Sequence, residues 1–350
     1  MHDIIIIGAG LSGLTASYEL SKNNIKTTVL EARGRVGGRI NTIEGPIEMG
    51  ATWFSDQHSS VIDMLRELNI NAFPQFTEGK ISYELNAKSP IQYFDYPAGQ
   101  APSYRIQGGS IRLIKRLIEA SPNTTVQLDT DIVSIEEIDD TLKVTTKKGI
   151  TFIARQIILS LPPQLSATNI QFSPPLPTEL MNLQKQTHTW MGESIKFGIH
   201  FKQPFWKENG LSGMGFSQSG VIQEMHDHCN PEQNFFALKG FLNPDLKRFS
   251  FKERETLVIN TVVHLMGKQA KEYISYHDTI WAEEVFTSVL NSGYMAPHQN
   301  NGHPALSESL MNGKLIIAGS ETASRYAGYM DGAISAGQRA ASEVINGLHY

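Results

Sequence analysis

Short buried strands and amphipathic helices alternate in the hydrophobic pattern at the start of the chain. Residues 4–7 are consecutive isoleucines, a run typical of a strand buried on both faces of a parallel sheet. Residues 11–20 repeat apolar side chains at helical spacing, which predicts a helix with one buried face. An apolar segment at 27–31 predicts the next strand. The pattern therefore predicts a β-α-β unit of about 30 residues.

The pattern changes in the next part of the chain. Residues 53–104 are mixed and aromatic, with one short helix predicted near 61–68. Two glycines then precede a second amphipathic helix, for which Ser110 is the predicted N-cap. Alternating apolar and polar residues predict three further strands, at 125–138, 142–147 and 150–160.

The remaining pattern divides the chain into two parts. Residues 164–290 mix helices with alternating strands, including one at 195–201, and predict a second domain. Residues 315–318 predict another buried strand, followed by a glycine-rich loop and a helix over 332–345 that Gly347 caps. The first and last thirds therefore predict one α/β domain, interrupted by the segments of the second domain.

Composition narrows the range of partners. The 350-residue chain has 30 Lys+Arg and 35 Asp+Glu, a formal charge of −5, with no basic stripe. Nucleic-acid binding relies on clustered positive charge, so we expect no nucleic-acid partner. The single cysteine, Cys229, excludes a disulfide framework and a multi-thiolate metal centre. The nearby His226 and His228 favour a polar loop, since the sequence lacks a second ligand pair, and we expect no metal.

The apolar segments are too short to target the protein to a membrane. No run approaches the about 20 residues that cross a bilayer. The first apolar run follows His2 and Asp3 rather than a basic segment, unlike a secretory signal. We therefore expect a cytoplasmic protein without a membrane anchor.

A glycine motif joins the first strand to the first helix. In Gly8-x-Gly10-x-x-Gly13 the first glycine permits a tight turn, and the second lets the backbone approach a pyrophosphate. The third lets the helix pack on the sheet, and the helix start offers free N–H groups to phosphates. Glu31 ends the second strand, where a carboxylate accepts hydrogen bonds from a ribose and disfavours NADP. A glycine-rich turn without a ligand is the alternative.

The segment after the second strand indicates which dinucleotide is bound. Residues 31–39 contain three arginines and three glycines, which a plain NAD domain does not need. Arginines on such a loop can reach the pyrophosphate of FAD from the side opposite the helix. The segment therefore favours FAD over NAD, with a solvated basic loop as the alternative.

Several segments together resemble the flavin-containing amine oxidases, the family of monoamine and polyamine oxidases. Related L-amino acid oxidases share these motifs. The matching segments lie at both ends of the chain and cover about half of it, at residues 4–13, 31–39, 48–53 and 318–341. The last of them resembles the closing motif of monoamine oxidases almost residue for residue.

The resemblance implies an α/β fold with two interleaved parts. One is a Rossmann-like FAD-binding domain of the GR2 type, with a mixed sheet and a β-meander, and the other is an α+β substrate domain. The FAD-binding domain is expected to be discontinuous, at residues 1–53, 106–163 and 291–350. The substrate-binding domain is expected at 54–105 and 164–290.

The resemblance also implies which residues bind FAD. Gly293 stands where some family members carry the cysteine that binds FAD covalently, so we expect non-covalent FAD. The expected contacts are Gly8, Gly10, Leu11, Ser12, Gly13, Glu31, Ala32, Arg33, Gly38, Arg39, Gly50, Ala51, Thr52, Trp53, Val133, Trp281, Gly319, Ser320, Glu321, Tyr329, Met330 and Ala333.

Three residues match catalytic positions of the family. Lys196 matches the lysine that holds a water beside flavin N5, and Tyr294 and Tyr329 match the aromatic sandwich in front of the flavin. From the residues alone, Lys196 lies on the strand face opposite Ile195 and Phe197, where a surface lysine is an equal alternative. Each tyrosine alone is more typical of the core.

The implied activity is FAD-dependent oxidation of a primary or secondary amine to an imine, hydrolysed to an aldehyde or ketone, with O2 reduced to H2O2. The expected partners are a small-molecule amine and O2, in a monomer or homodimer, and the aromatic residues at 83–96 favour monoamines. The alternative is an L-amino acid oxidase, with Arg105 as its carboxylate-binding candidate, or another flavin dehydrogenase or desaturase of the same fold. A catalytically silent FAD-binding protein is a third hypothesis.

Overall fold

The computed structural model describes residues 2–86, 88–218, 220–290, 293 and 295–347. Its α-helices are α1 (Leu11–Lys22), α2 (Ser59–Glu67), α3 (Ile111–Glu119), α4 (Pro163–Asn169), α5 (Thr178–Lys185), α6 (Phe205–Glu208), α7 (Phe251–Met266) and α8 (Met330–Gly347). Its strands are β1 (His2–Ile7), β2 (Thr27–Leu30), β3 (Thr42–Ile43), β4 (Ile47–Glu48), β5 (Phe54–Ser55), β6 (Ala72–Pro74), β7 (Lys80–Glu84), β8 (Gln92–Phe94), β9 (Ser103–Ile106), β10 (Thr124–Gln127), β11 (Ile132–Ile138), β12 (Thr141–Thr146), β13 (Thr151–Leu159), β14 (Gln171–Ser173), β15 (Ile195–Phe201), β16 (Leu211–Ser217), β17 (Ile222–Asp227), β18 (Phe236–Leu242), β19 (Tyr273–Ile280) and β20 (Leu315–Ile317).

An eight-stranded sheet contains the first strand and the glycine motif. Its order is β10-β2-β1-β13-β12-β11-β14, with β20 also paired to β13. The strands from β10 to β13 are parallel, and β13, β12 and β11 form an antiparallel meander. Ile4 and Ile6 pack against the helices of one face, whereas Ile5 and Ile7 pack against the meander residues of the other. The predicted strand buried on both faces and the mixed sheet with a meander are therefore confirmed.

A seven-stranded sheet forms the second layer, in the order β19-β15-β18-β17-β16-β7-β8. One of its faces packs Ile195, Phe197 and Ile199 into a core that α7 completes. Successive side chains of a strand point to opposite faces. The other face therefore carries Lys196 on β15 and Lys239 on β18.

Other elements predicted from the sequence are present with small shifts in their ends. The helix predicted near 61–68 is α2, the strand at 195–201 is β15, and the helix at 332–345 is α8. Within the described ranges, none of the helices combines the length and apolar character needed to cross a bilayer.

Some local expectations are wrong. The single strand predicted over 125–138 is two strands, because β10 pairs with β2 while β11 pairs with β12 and β14. That last pairing places Gln171–Ser173 in the eight-stranded sheet, apart from the second sheet. Ser110 is the N-cap residue of α3 as expected, but its hydroxyl donates to the Ala51 carbonyl at 3.0 Å instead of making a capping hydrogen bond. Gly347 is the last residue of α8 rather than its cap.

Candidate active site

A cleft opens where the parallel strands of the first sheet end. Residues one or two positions after β1, β2, β13 and β20 line it, the position at which open α/β sheets bind ligands. Many of the expected FAD contacts line this cleft, namely Gly8, Gly10, Leu11, Ser12, Glu31, Ala32, Arg33, Gly38, Arg39, Ala51, Gly319, Ser320, Tyr329, Met330 and Ala333.

The other expected site residues lie next to the cleft or apart from it. Glu321 contacts the lining residue Arg39, and Gly13 packs beneath Gly8. Tyr294 lies outside the described residues. The expected residues that are not part of the lining are Gly13, Gly50, Thr52, Trp53, Val133, Lys196, Trp281 and Glu321.

The structure also brings to the cleft residues that sequence reasoning missed. A signal was present for 160–162, which follow a buried strand and so belong to the edge where parallel strands end. For residues 130–132 the signal is their position directly before Val133, which is one of the expected FAD contacts. No local pattern marks 286 and 287, which come from a distant part of the chain. The missed residues are Ile7, Leu30, Gly37, Ile40, Thr130, Asp131, Ile132, Ser160, Leu161, Pro162, Leu165, Asn169, Ile170, Phe286, Thr287 and Gly328.

The start of α1 gives the cleft its anion-binding character. Gly10 is the N-cap and no side chain caps the first turn, so N–H groups of that turn are free to donate to a ligand. A Cβ on Gly10 would have no heavy atom within 4 Å, so this backbone faces open space. Gly8 has a φ of 102°, which favours glycine. These donors fit the pyrophosphate of a dinucleotide.

Two backbone N–H groups fix the Glu31 carboxylate after β2. Its Oε2 accepts from Ala9 N at 2.8 Å, and its Oε1 accepts from Arg33 N at 2.9 Å. Glu31 is buried and lines the cleft. The carboxylate therefore connects the glycine motif to the arginine loop at the position expected to bind a ribose.

Replacing this carboxylate by an amide is expected to destabilise the protein. In Glu31→Gln the side-chain NH2 would face one of the two backbone N–H groups, which would then lose its acceptor. An unsatisfied buried donor lowers the free energy of unfolding by about 1–3 kcal/mol. Urea unfolding of the apoprotein measures this loss. Glu78→Gln, at an exposed loop position, is the matched control and should stay within about 0.5 kcal/mol of wild type. Equal stability of both variants would contradict the structural role of Glu31.

The three arginines of the loop are held in different ways. Arg33 lines the cleft and donates to Glu284 Oε2 at 3.2 Å. Arg39 also lines it, and its Nη1 lies 2.7 Å from Glu321 Oε1. Arg35 instead donates to backbone carbonyls of its own loop at 3.0–3.3 Å. Two arginines therefore supply positive charge to the cleft, while the third stabilises the loop.

Lys196 is a buried lysine rather than a surface one. Its Nζ donates to the Gly50 carbonyl at 2.7 Å and lies 5.1 Å from the centre of the Phe241 ring. Burial lowers the pKa of Lys196 to about 8, and the nearby Glu48 carboxylate opposes part of that change. A group with such a pKa can hold or release a proton near neutral pH. Gly50 directly precedes Ala51, which lines the cleft, whereas Lys196 itself is not part of the lining.

Tyr329 belongs to a group of aromatic rings beside the cleft. Its ring centre is 5.5 Å from that of His298, with 17° between the planes, and 5.8 Å from that of His58. Trp190 stacks on His298 with 3.9 Å between the ring centres and lies 5.5 Å from the Tyr329 ring as well. Tyr329 keeps 37% of its surface exposed, so its ring can contact a small molecule. The aromatic sandwich with Tyr294 stays a prediction.

Two tryptophans hold the segment at 48–53 in place. Trp281 is buried, and its Nε1 donates to the Met49 carbonyl at 2.7 Å. The Nε1 of Trp53 donates to Gln75 Oε1 at 2.8 Å. These bonds fix the backbone that presents Gly50 to Lys196.

Arg105, the alternative carboxylate-binding residue, is already engaged. It is buried, with Nη1 at 2.6 Å from His228 Nδ1, and it also donates to the Cys229 carbonyl. It lines a small cavity separate from the large cleft. His226 pairs with Glu224 at 2.5 Å, and the described part of the chain contains no cluster that could hold a metal.

The aromatic segment at 83–96 does not form a closed pocket wall. Tyr93 and Phe94 lie on the edge strand β8, and 53% and 49% of their surfaces are exposed. The expected preference for monoamines therefore gains no support from these residues.

The fold and the cleft together define a dinucleotide-dependent enzyme of the α/β class. The chain belongs to the family described as flavin containing amine oxidoreductase, whose model matches residues 11–93 and 79–345. It is therefore an oxidoreductase that acts on amines, and its cofactor is a flavin, FAD. The resemblance read from the motifs is confirmed.

Curated relatives align along nearly the whole chain. The flavin-containing amine oxidase A of Equus caballus is 23% identical over 99% of this chain and 86% of its own length. A probable flavin-containing monoamine oxidase A of Dictyostelium discoideum is 24% identical, over 99% of this chain and 98% of its own.

Solved structures confirm the fold. A putrescine oxidase bound to putrescine has a TM-score of 0.84 at 22% identity, covering 99% of both chains. Cyclohexylamine oxidase from Brevibacterium oxydans IH-35A has a TM-score of 0.86 at 21% identity, covering 100% of both. At such identity the likeness establishes the architecture, an FAD-binding Rossmann-like part with a substrate part.

Proposed function

We propose that the protein oxidises a primary or secondary amine to an imine, which water hydrolyses to an aldehyde or ketone, with O2 reduced to H2O2. FAD, bound without a covalent link, supplies the two-electron acceptor. The observation that carries this proposal is the buried Lys196, which donates to the carbonyl of Gly50, the residue before the cleft-lining Ala51. We assign FAD to residues 1–53, 106–163 and 291–350, and the amine to 54–105 and 164–290.

The chain's own residues have distinct roles in this proposal. The free N–H groups at the start of α1, together with Arg33 and Arg39, bind the pyrophosphate. The N-terminus of α8, at Met330, lines the cleft and offers partial positive charge to an anionic ring edge. Tyr329 contacts the amine by its ring face, and Lys196 holds a proton beside the reacting atoms.

The surroundings of Cys229 support non-covalent binding. Burial, reinforced by Asp227, raises the pKa of the Cys229 thiol to about 12, so it is not a nucleophile near neutral pH. The residue lies by the small cavity with Arg105, away from the large cleft. The engagement of Arg105 with His228 also argues against an L-amino acid oxidase that uses this arginine.

Anaerobic addition of amines tests the reaction. Benzylamine, phenethylamine, putrescine or spermidine is expected to bleach the visible absorbance of the bound flavin, and air is expected to restore it with formation of peroxide. A panel of L-amino acids is the comparison set. Bleaching by amino acids alone would favour the amino acid oxidase, and no bleaching by either set would favour a silent FAD-binding protein.

The bleaching rate is expected to rise with pH. The substrate amine must lose its proton to present a lone pair, so raising the pH from about 7 to about 9 increases the reactive fraction. Stopped-flow absorbance at subsaturating benzylamine measures this dependence. A flat profile over that range would contradict oxidation of the neutral amine.

A further inference from the structure

A short segment from a distant part of the chain borders the cleft. Residues 284–287 follow the short helical turn Trp281–Glu283, and Phe286 and Thr287 belong to the lining of the cleft. The outer side of the segment faces solvent, since 52% of the Val285 surface is exposed, whereas Phe286 is half-buried. We call residues 284–287 the strap.

Backbone hydrogen bonds give the strap a defined shape. The N–H of Thr287 donates to the Glu284 carbonyl at 2.7 Å, and the N–H of Ser288 donates to the same carbonyl at 2.9 Å. The Ser288 hydroxyl donates to the Trp281 carbonyl at 3.0 Å, which connects the strap to a buried residue. The strap is therefore a preformed turn rather than an extended connection.

Arg33 holds the strap beside the cleft. Its Nη2 donates to Thr287 Oγ1 at 2.8 Å and to Glu284 Oε2 at 3.2 Å. Its Nε donates to the same carboxylate oxygen at 3.3 Å, and its Nη1 donates to the Phe286 carbonyl at 3.3 Å. The guanidinium carbon also lies 5.6 Å from the centre of the Phe286 ring. The contacts of one side chain therefore fix the position of the whole strap.

The position of Arg33 indicates which part of a dinucleotide the strap faces. In this class of fold the carboxylate after the second strand binds the ribose of the adenosine, and the pyrophosphate lies at the start of the first helix. Here that carboxylate is Glu31, two residues before Arg33. The Thr130 N–H donates to the Glu31 carbonyl at 2.8 Å, and residues 130–132 line the cleft as well. The strap therefore borders the adenosine end of the cleft.

The ion pair between Arg33 and Glu284 is only partly shielded from water. The Arg33 side chain is 10% exposed, but the Glu284 side chain is 37% exposed. A partly exposed ion pair contributes little free energy and is screened by salt. This pair is therefore the contact at which the strap can separate from the cleft without loss of the fold.

We propose that the strap covers the adenosine part of FAD, with Phe286 contacting the nucleotide, and that the pair between Arg33 and Glu284 sets the rate at which FAD leaves. Glu284 acts through Arg33 and is a positioning residue. The inference rests on the proposed non-covalent binding of FAD and does not depend on the substrate. In the opposite hypothesis, Glu284 competes with the pyrophosphate for Arg33, so that its carboxylate weakens FAD binding.

Exchange of bound FAD tests the role of the ion pair. Holoprotein loaded with radiolabelled FAD is mixed with excess unlabelled FAD, and the label retained after rapid desalting gives the rate of release. Glu284→Ala is expected to release FAD about fivefold faster than wild type, the upper value for a partly exposed ion pair. Glu284→Gln, which keeps an acceptor oxygen, is expected to lie between the two. Glu283→Ala removes the exposed carboxylate next to it and should match wild type.

Salt gives a readout that a purely structural role of Glu284 would not change. Raising the ionic strength from about 0.05 M to about 0.5 M screens the ion pair, so release of FAD from wild type is expected to accelerate. Salt also weakens the attraction between arginines and the pyrophosphate, and the acceleration is therefore compared with that of Glu284→Ala. The variant is expected to respond less, because the pair is already absent.

ADP separates the adenosine end of the cleft from the flavin end. It contains the adenosine and the pyrophosphate without the flavin, and calorimetry measures its binding to the apoprotein. Phe286→Ala is expected to weaken ADP binding about tenfold, within the range for loss of a packed aromatic contact. Val285→Ala, at the neighbouring solvent-facing position, is the control and should bind ADP like wild type. Urea unfolding of both apoproteins shows whether either change destabilises the fold.

Three results would overturn the inference. One is release of FAD from Glu284→Ala that is no faster than from wild type, and slower release would favour competition for Arg33. Another is equal ADP affinity of folded Phe286→Ala and Val285→Ala. The third, which needs no variant, is wild-type apoprotein that binds FAD but not ADP. A protein that shows the expected release rates and oxidises no amine would contradict the proposed reaction and support the role of the strap.

Discussion

Gly13→Ala is expected to destabilise the apoprotein by about 3 kcal/mol and to abolish FAD binding. A Cβ at this position would overlap the carbonyl oxygen of Gly8, which is backbone and cannot move aside without displacing β1 from α1. Overpacking of this kind costs about 1–3 kcal/mol where side chains can adjust, and more where they cannot. Urea unfolding and FAD titration of the same preparation measure the two losses.

Gly10→Ala is the matched control. Gly10 has an ordinary φ of −76°, and its Cβ would meet no protein atom within 4 Å. Stability of the apoprotein should therefore stay within about 1 kcal/mol of wild type, while FAD affinity falls because the methyl group occupies the space of the pyrophosphate. Loss of stability in Gly10→Ala, or normal stability in Gly13→Ala, would contradict the described packing.

Lys196→Met is expected to lower amine turnover at least about 100-fold, the low end of what proton transfer by a positioned side chain contributes. FAD content and stability should be retained, because replacing a buried charge by an apolar side chain of similar volume is often neutral or stabilising. Stopped-flow reduction and reoxidation of the bound flavin show which half of the reaction slows.

The pH profile of this variant separates catalysis from packing. Since burial lowers the pKa of Lys196 to about 8, the lysine is mainly charged at pH 7 and mainly neutral at pH 9. Wild type is therefore expected to show an ionisation near pH 8 that Lys196→Met lacks, while the ionisation of the substrate amine stays in both. Identical profiles would assign Lys196 a structural role.

The sequence predicts best where one local pattern decides the structure. The isoleucines at 4–7 indicate a buried strand, and the glycines after them indicate a turn into a helix. The structure has both elements there, as β1 and α1. Lys196 shows the limit of such a prediction, because the alternation of residues along a strand does not decide whether this lysine is buried or on the surface. The resemblance favoured the functional role, and the bond to Gly50 shows the burial.

Residues assembled from distant segments were not predicted. Lys239 stands in an apolar strand, an unusual position for a lysine, and its place on the same sheet face as Lys196 follows from the pairing of β18 with β15. Gln171–Ser173 likewise joins the first sheet through β11. The sequence leaves Arg105 as a candidate for a substrate carboxylate, whereas in the structure it contacts His228. Such contacts depend on the order and pairing of the strands rather than on the spacing of residues along the chain.

Titration of the apoprotein with FAD tests the central claim most directly. We expect one FAD per chain, a visible flavin spectrum that differs from that of free FAD, and complete release of the dinucleotide into the supernatant on acid precipitation. A protein that stays colourless and takes up no FAD would contradict the cleft as a cofactor site, and flavin that remains with the precipitate would contradict non-covalent binding.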